Sequence, residues 1–463
     1  MKLLLINPPA FKSPRWDVER PFYPPLGLCY LASVLEKYHH RVRIIDADVL
    51  NYSFEEILRQ AKIFQPDLIG IGSVTQRYGV AQELIAFLRQ EGLAPIVIGG
   101  NHATRVKEKI LQDIDVDYVM FGEAEFTLLD LVDALERKKP LGGIKGLIYR
   151  ENDGSIKINP PREPLQNLDT IPFPARHLLP HLTTHYRNAT RYKRLPMTHM
   201  VTSRGCLYRC SFCDHDRNVR YFSPGYVASE FEQLQEKWGI REIHFWDEIF
   251  MMTPKRAKEL CQEFKARRLD ITWSAYARLD IIARNPELVP LIKESGCWEL
   301  AVGIESGNQE VLNFIKKDLT LAQIRQGISL LRKNKIFVRG LFMLGHPTET
   351  RKSMQETINF AKSLPLNSVQ FNLNVPLPGT EQYPLAEQYG SFESAAYKDM
   401  SGHADMPVFI PKGLTKEELL EAQKRAYREF YRRTRVVFRN LPYLTSPDAV
   451  LKYSRQFLKM IRT

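Results

Sequence analysis

Apolar residues fall in short runs at 3–6, 42–45, 68–72, 96–98 and 118–121, broken by a charge only at Arg43, and stretches between them, such as 26–38 and 80–89, carry helical spacing. Apolar runs bounded by Gly, Asp or Asn are the pattern of strands buried on both faces. From 2 to about 137 the pattern predicts an α/β domain, a doubly wound parallel sheet with helices on each face. Met1 to Pro9 has one charge, a short apolar run and no small-residue cleavage site, so it reads as a first strand and not as a signal peptide. Between about 140 and 195 the alternation stops. Gly142, Gly143 and Gly146, the turn Asn152-Asp153-Gly154 and a run of prolines from Pro160 to Pro180 predict a linker with one hairpin at Asp153. From 196 the alternation resumes, with strands expected at 199–202, 243–246, 271–275, 299–304, 338–344 and 368–373. Six such units predict a partial (β/α) barrel. The expected domains are 1–140, a linker 141–195, a barrel 196–385 and a helical, basic C-terminal segment 386–463.

Length and composition narrow this picture. At 463 residues the chain exceeds a single core, and roughly 150 residues per domain gives two or three domains. No stretch approaches the roughly 18 uninterrupted apolar residues of a membrane span. The six cysteines are too few for a disulfide framework in so long a chain, and their clustering favours a reducing cytoplasm and metal binding. The net charge of +12 matters only where it is concentrated. It is concentrated at Lys424, Arg425, Arg428, Arg432, Arg433, Arg435 and Arg439, interleaved with Tyr427, Phe430, Tyr431 and Phe438. One reading is a helix packed on the barrel with a solvated basic face. The alternative is a helix on an acidic lipid surface, which would make the protein cytoplasmic and peripheral to the inner face of the membrane. Nothing in the sequence indicates a nucleic-acid partner.

The chemistry concentrates in Ser203-Arg204-Gly205-Cys206-Leu207-Tyr208-Arg209-Cys210-Ser211-Phe212-Cys213, a C-x3-C-x2-C run after the first expected barrel strand. Three thiolates suit an iron–sulfur cluster and leave one iron open to another ligand. The competing reading is a zinc site completed by His199 or His215, although no second ligand pair is present. Cys29, Cys261 and Cys297 have no ligand spacing and read as buried small side chains.

This motif, with an aromatic before its last cysteine, resembles the signature of the radical S-adenosylmethionine (SAM) superfamily. The resemblance implies that Cys206, Cys210 and Cys213 hold a 4Fe-4S cluster whose fourth iron is chelated by SAM. An electron from a donor such as flavodoxin or ferredoxin would then cleave SAM to a 5'-deoxyadenosyl radical. Other segments resemble the family's SAM-binding elements in order. Phe212 lies in the motif itself, and Asp247, in Phe245-Trp246-Asp247-Glu248, stands near the SAM amino group. Arg278, closing Thr272-Trp273-Ser274-Ala275-Tyr276-Ala277-Arg278, would pair with the SAM carboxylate, or in the blander reading with Asp280. Glu305, in Gly303-Ile304-Glu305-Ser306-Gly307, would accept hydrogen bonds from the ribose or amino group. Gly345, in Gly340-Leu341-Phe342-Met343-Leu344-Gly345-His346-Pro347, would lie beside the adenine, and Pro378, in Pro376-Leu377-Pro378-Gly379-Thr380, would close the site.

The N-terminal domain is similar to the cobalamin-binding domains fused ahead of radical SAM barrels. The resemblance rests on Asn7-Pro8-Pro9, Pro24-Pro25-Leu26-Gly27, Ser73-Val74-Thr75, Gly99-Gly100 and Gly122-Glu123-Ala124-Glu125. It implies a cobalamin site drawing on Asn7, Pro8, Ser73, Thr75, Gly99, Gly100, Gly122 and Glu123. The family's Asp-x-His-x-x-Gly, whose histidine ligates cobalt from below, is missing. Asp46-Ala47-Asp48 stands near that region without a histidine, and His102, beside Gly99-Gly100, reads as a ligand or, in the blander reading, as a polar loop residue. The implied activity is a cobalamin-dependent methyltransferase for an unactivated carbon or phosphorus of a small-molecule or lipid substrate. Alternatives are a radical cyclase, coupling or rearrangement enzyme without methyl transfer, and a non-catalytic corrinoid sensor.

Overall fold

Leu3, Leu4, Leu5 and Ile6 are at most 1% exposed, the burial expected of a central strand. The computed structural model describes residues 1–9, 23–186, 192–393 and 407–441. It divides into two units, Met1–Arg187 and Asn188–Thr463.

In the first unit β1 (Lys2–Asn7), β2 (Arg41–Asp46), β3 (Leu68–Gly72), β4 (Ile96–Gly99) and β5 (Tyr118–Met120) are parallel. Two antiparallel strands, β6 (Leu147–Arg150) and β7 (Ile156–Ile158), follow, and the seven-stranded order is β2-β1-β3-β4-β5-β6-β7. The winding direction reverses between β1 and β3, so the carboxyl ends of these strands border a crevice, the usual ligand position in such sheets. The hairpin expected at Asp153 forms, with Gly154 N donating to Glu151 O at 2.9 Å. It is not isolated in a linker: its strands extend the sheet. The buried run Leu147-Ile148-Tyr149 supplies the reason, and in the sequence it is masked by the glycines and prolines on either side.

The second unit begins with β8 (Met197–Met200), then the short antiparallel pair β9 (Ser203–Arg204) and β10 (Arg220–Tyr221). The parallel strands β11 (Glu242–Phe245), β12 (Thr272–Ala277), β13 (Cys297–Glu305), β14 (Phe337–Leu344) and β15 (Ser368–Leu373) follow. With β8 they make a six-stranded sheet in sequence order, each strand beside the next as successive βα units demand. Several of the helices between them start at side-chain caps: Ser223 accepts from Tyr226 N, Thr253 from Arg256 N, and Thr320 and Thr350 form capping boxes. Outward residues Phe245 and Trp273 pack with Phe250, and Phe245 also stacks on Phe264 of the helix Pro254–Ala266. A last pair, β16 (Gly390–Phe392) and β17 (Phe409–Pro411), precedes the C-terminal helices.

The helix Lys416–Tyr431 resolves the basic aromatic segment. It lies along β15, which would otherwise be a free edge. Tyr427 Oη accepts from Phe371 N at 3.0 Å, Tyr431 Oη accepts from Val369 N at 3.1 Å, and Gln423 Nε2 donates to Phe371 O at 2.9 Å. Phe430 is fully buried. A lipid surface would need these rings outside, and they are instead spent on the barrel; of the four aromatics only Phe438 is exposed. Residues 442–463 lie outside the described residues.

Removing either hydroxyl leaves a strand amide without its partner, which costs about 1–3 kcal/mol when the group is buried. Tyr431→Phe should therefore accelerate hydrogen exchange at the Val369 amide while leaving β8 and β11 protected. Exchange unchanged at Val369 would show that the edge does not depend on the tyrosine.

Candidate functional site

The cysteine run occupies the loop between β9 and β10. Gly205 opens it at φ +86°, and a Cβ there would meet Asn218 O at 2.7 Å, so both the turn and the close approach require glycine. The loop is tied down by backbone bonds: Cys206 N donates to Asp216 O at 2.8 Å, Ser211 N to Ile315 O at 3.0 Å and Gln382 N to Ser211 O at 3.0 Å. Cys206 and Cys210 are buried and Cys213 is exposed. The thiol of Cys213 hydrogen-bonds to Cys210 and, with the cations Lys317 and Arg278 nearby, pulls Cys210 below the ordinary thiol range, whereas burial pushes Cys206 up. An all-sulfur donor set beside two cations fits an iron–thiolate cluster. The histidines of the zinc reading are engaged elsewhere. His199 packs against the rings of His244 and Trp246, and His215 Nε2 lies 3.1 Å from Tyr208 O. Among the described residues no three His, Cys, Asp or Glu are grouped as ligands of a single metal ion.

The carboxyl ends of the barrel strands bring several expected SAM residues to this loop. Glu305 closes β13 at φ +64°, a strained conformation for a non-glycine residue, and forms a buried ion pair with Lys317 at 2.8 Å. A Cβ on Gly303 would lie 2.5 Å from Glu305 Oε1 and 2.8 Å from Lys317 Nζ, so this glycine makes room for the pair. Phe212 faces Lys317 at 5.9 Å and the ring of His346 at 5.8 Å. Gly345, at φ +83°, starts a turn held by Glu349, whose Oε2 accepts from Gly345 N at 2.5 Å and His346 N at 3.1 Å. Pro378 is buried in a turn closed by Thr380 N donating to Leu377 O at 3.1 Å, and beyond it Gln382 Nε2 reaches Ser211 Oγ at 3.2 Å.

Two expected residues sit differently. Asp247 is 1% exposed and spends Oδ1 on Thr202 N at 2.9 Å and Ser203 Oγ at 2.5 Å, which fixes the entry to the cysteine loop; only the buried Oδ2 has no partner among the described residues. Arg278 does not present an open fork. Its Nε donates to Asp280 Oδ1 at 2.9 Å and its Nη2 to Lys317 O at 2.6 Å, and the ion pair with Asp280 is buried and not on the surface. Lys317 and Gln382 carry no sequence signal, because each acts through a neighbour distant in the chain, and nothing in the motifs singles out Tyr208 or Glu349.

The inward face of the barrel alternates with the apolar outer face and is polar. His199, His244, Ser274 and Glu299 stand in register across four strands, with His244 Nδ1 2.7 Å from Ser274 Oγ and Arg339 Nε 3.0 Å from Glu299 Oε1. Glu299 Oε2 is buried without a partner among the described residues. Nearer the carboxyl ends, Trp246, Tyr276, Leu341, Met343, Gln370 and Asn372 are partly exposed.

In the first unit the crevice side carries Ser73, Thr75, Gly99 and Gly100 together. Ser73 N donates to Gly99 O at 2.8 Å, and Gly100 at φ +115° lies so close that a Cβ would be 2.4 Å from Ser73 O. Ser73 Oγ is buried with no partner among the described residues, an orphan hydroxyl beside a surface that only glycine permits. That pairing fits a slot for a ligand. Asn7 and Glu123 are tied to the protein: Asn7 Nδ2 donates to Asp46 Oδ1 at 2.7 Å, and Glu123 Oε2 accepts from Leu165 N at 3.0 Å. Pro8 follows β1 directly, and Gly122 N donates to Thr104 Oγ1 at 3.0 Å. His102 is buried against Tyr78, with ring centroids 4.0 Å apart and Nδ1 3.2 Å from Thr75 Oγ1, and burial holds it down to about 4.

A doubly wound domain followed by six parallel βα units with a triple-cysteine loop at the carboxyl ends defines a two-domain cofactor enzyme. Two family models match it: B12 binding domain over residues 20–132 and Radical SAM superfamily over 200–361. The chain is 34% identical over 452 residues to an uncharacterized methyltransferase of Pyrococcus horikoshii, with 95% of each chain covered. It is 30% identical to the cytidylyl-2-hydroxyethylphosphonate methyltransferase of Streptomyces wedmorensis, covering 82% of this chain and 80% of that one. The radical SAM methyltransferase TsrM of Kitasatospora setae, solved with cobalamin and a [4Fe-4S] cluster, shares the fold at a TM-score of 0.68 and 22% identity, with 92% of this chain and 85% of that one covered. The chain belongs to the cobalamin-binding-domain radical SAM enzymes. Cobalamin, SAM and a 4Fe-4S cluster are the cofactors of that family. Among the described residues no helix is long and apolar enough to cross a membrane.

Glu349 gives this unit a pH signature. Burial pushes its carboxyl up to about 8, so the native state keeps a proton that the unfolded chain loses near the ordinary carboxylate value. Stability from this group is present at low pH and is lost as pH rises towards about 8. Glu349→Gln retains the acceptor and removes the titration. Its unfolding midpoint should gain on the wild type as pH rises from about 6.5 to 8.5, a window above the titration of His346, which burial holds down to about 3. A difference independent of pH would show that Glu349 is ionised throughout.

Proposed function

We propose that this chain is a cobalamin-dependent radical SAM methyltransferase acting on a compact, polar small molecule. The observation that carries the reading is the conjunction, in one chain, of a cation-flanked three-thiol loop and a glycine-lined slot with an orphan serine hydroxyl. When bound, the cluster supplies the electron that divides SAM and the corrinoid supplies a methyl carrier. Cys206, Cys210 and Cys213 would hold the cluster. Glu305, kept in place by Lys317, offers an acceptor to the ribose or amino group of SAM, and Asp247 offers its unpartnered Oδ2. Phe212, Gly345 and Pro378 shape the walls around the adenosyl group. Ser73, Thr75, Gly99 and Gly100 would receive the nucleotide tail of the corrinoid, with no protein histidine beneath the cobalt. A low-potential one-electron donor such as flavodoxin or ferredoxin is required.

The inward face of the barrel bears on the substrate. A saturated lipid would leave Glu299 Oε2, buried without a partner among the described residues, facing hydrocarbon, and an unpaired buried polar group costs about 1–3 kcal/mol. A small molecule with a hydrogen-bond donor satisfies it, while Trp246 and Tyr276 offer ring surfaces.

Reconstituted enzyme, given methyl-labelled SAM, a chemical reductant and a metabolite extract without oxygen, should place label in a water-soluble product. The protein with Cys206, Cys210 and Cys213 all replaced by Ala should form no 5'-deoxyadenosine and still bind cobalamin. Label in the organic fraction would refute the polar substrate; deoxyadenosine without labelled product would turn the reading to a cyclase or rearrangement enzyme; failure of the wild type to bind any corrinoid would overturn it.

A further inference from the structure

We propose that Arg278 is a positioning residue that clamps the cysteine loop and sets the charge beside Cys210, and that it does not bind the carboxylate of SAM. The proposal rests on the reading that Cys206, Cys210 and Cys213 hold a cluster. Arg278 directly follows β12, and its side chain is 2% exposed. Nε donates to Asp280 Oδ1 at 2.9 Å, and Nη2 donates to Lys317 O at 2.6 Å and stands 3.4 Å from Asp318 O. Nη1 lies 4.0 Å from Cys210 Sγ. The flat face of the guanidinium stacks on the Tyr208 ring, 3.5 Å from its centroid, and Tyr208 Oη donates to Asp280 Oδ2 at 3.4 Å. Tyr208 lies between Cys206 and Cys210, so the stack grips the segment that spaces those two thiols.

A carboxylate recognised by arginine takes two parallel N–H groups from one edge of the fork. The Nε edge is filled by Asp280 and the far nitrogen by the Lys317 carbonyl. A SAM carboxylate would have to displace one of them and then sit beside the Asp280 carboxylate in a buried place, where like charges repel strongly. What Arg278 does have free is a cationic N–H directed at sulfur. The potential of an iron–sulfur cluster depends on the net charge around it and on hydrogen bonds to its sulfurs. A cation and N–H donor at Cys210 stabilise the more negative, reduced state.

The test compares Arg278→Gln, which removes the charge, with Arg278→Lys, which keeps it and loses the planar fork. Both are reconstituted and compared with the wild type in melting profile, iron content, midpoint potential by spectroscopically monitored titration, and SAM affinity by equilibrium dialysis. The expected result is a more negative midpoint for Arg278→Gln, a midpoint close to wild type for Arg278→Lys, and SAM dissociation constants within about threefold of wild type for both. Loss of iron from either variant with a wild-type melting profile also supports the clamp, because a SAM ligand is not needed to load the cluster. The proposal is overturned if Arg278→Gln keeps its iron and its midpoint, or if both variants weaken SAM binding by roughly tenfold or more, about 1.4 kcal/mol, with midpoints unchanged. A wild type that binds no iron would instead sink the cluster reading itself, before any variant is compared.

Discussion

The second unit depends on holding an irregular loop still. Three thiols must stand at fixed separations to share one cluster, and the segment that bears them has too little regular structure to fix itself. It is held from outside. Ile315 O and Gln382 take Ser211, and Asp247 takes the residues just ahead of the loop. These ties come from the ends of different βα units, so the barrel frames the loop, and the loop's geometry inherits the precision of the sheet. Strands and helices hold a site more accurately than loops alone. Asp247 illustrates the cost: a carboxylate buried this deeply is pushed upward by desolvation, opposed by its hydrogen bonds from Ser203 and Thr202.

Charge around the loop is arranged in a second network. Glu305 and Lys317 are both nearly buried, and a buried ion pair carries a desolvation penalty that contact alone rarely offsets. The strained backbone at Glu305 and the obligatory glycine at 303 are further concessions to the same pair. Such an arrangement makes poor sense as a source of stability. It makes sense as a way to keep an ammonium beside Cys210 and a carboxylate at the strand end, both oriented before any ligand arrives.

The fold was largely legible in the sequence because the strands of the first unit are nearly continuous apolar runs with punctuation at each end, and those of the second recur between helical stretches. What was not legible was tertiary. The strand expected at 199–202 ends at Met200, since Ser203 and Arg204 pair with Arg220 and Tyr221 instead of continuing it. The hairpin at Asp153 was visible, but its membership of the sheet depends on β5, which lies outside any local window. Motif order placed Phe212, Glu305, Gly345 and Pro378 around one loop. It did not reveal Lys317 or Glu349, single charged residues whose roles exist only through Glu305 and the Gly345 turn. For Arg278 the motif identified the position and not the partners, because nothing in Thr272 to Arg278 shows that the carbonyl of Lys317 occupies the fork.

The basic aromatic segment shows how one pattern can suit two different neighbours. Cations interleaved with aromatics suit a lipid interface, but they equally suit a helix that must cover a strand edge and stay soluble on its other side. The edge decides. A terminal parallel strand exposes a row of N–H and C=O groups, which proteins usually pair, cover or guard with charge. Here two tyrosines and a glutamine meet those groups directly, while Arg428 and Arg425 turn towards Glu421 and Glu429 on the outer face. Once the rings are committed to β15, the polar interior of the barrel points the same way. Among the described residues the inward strand faces carry His244, Ser274, Glu299 and Arg339, and the rings of Tyr427, Phe430 and Tyr431 meet the barrel, which is why the substrate proposed above is a hydrogen-bonding small molecule.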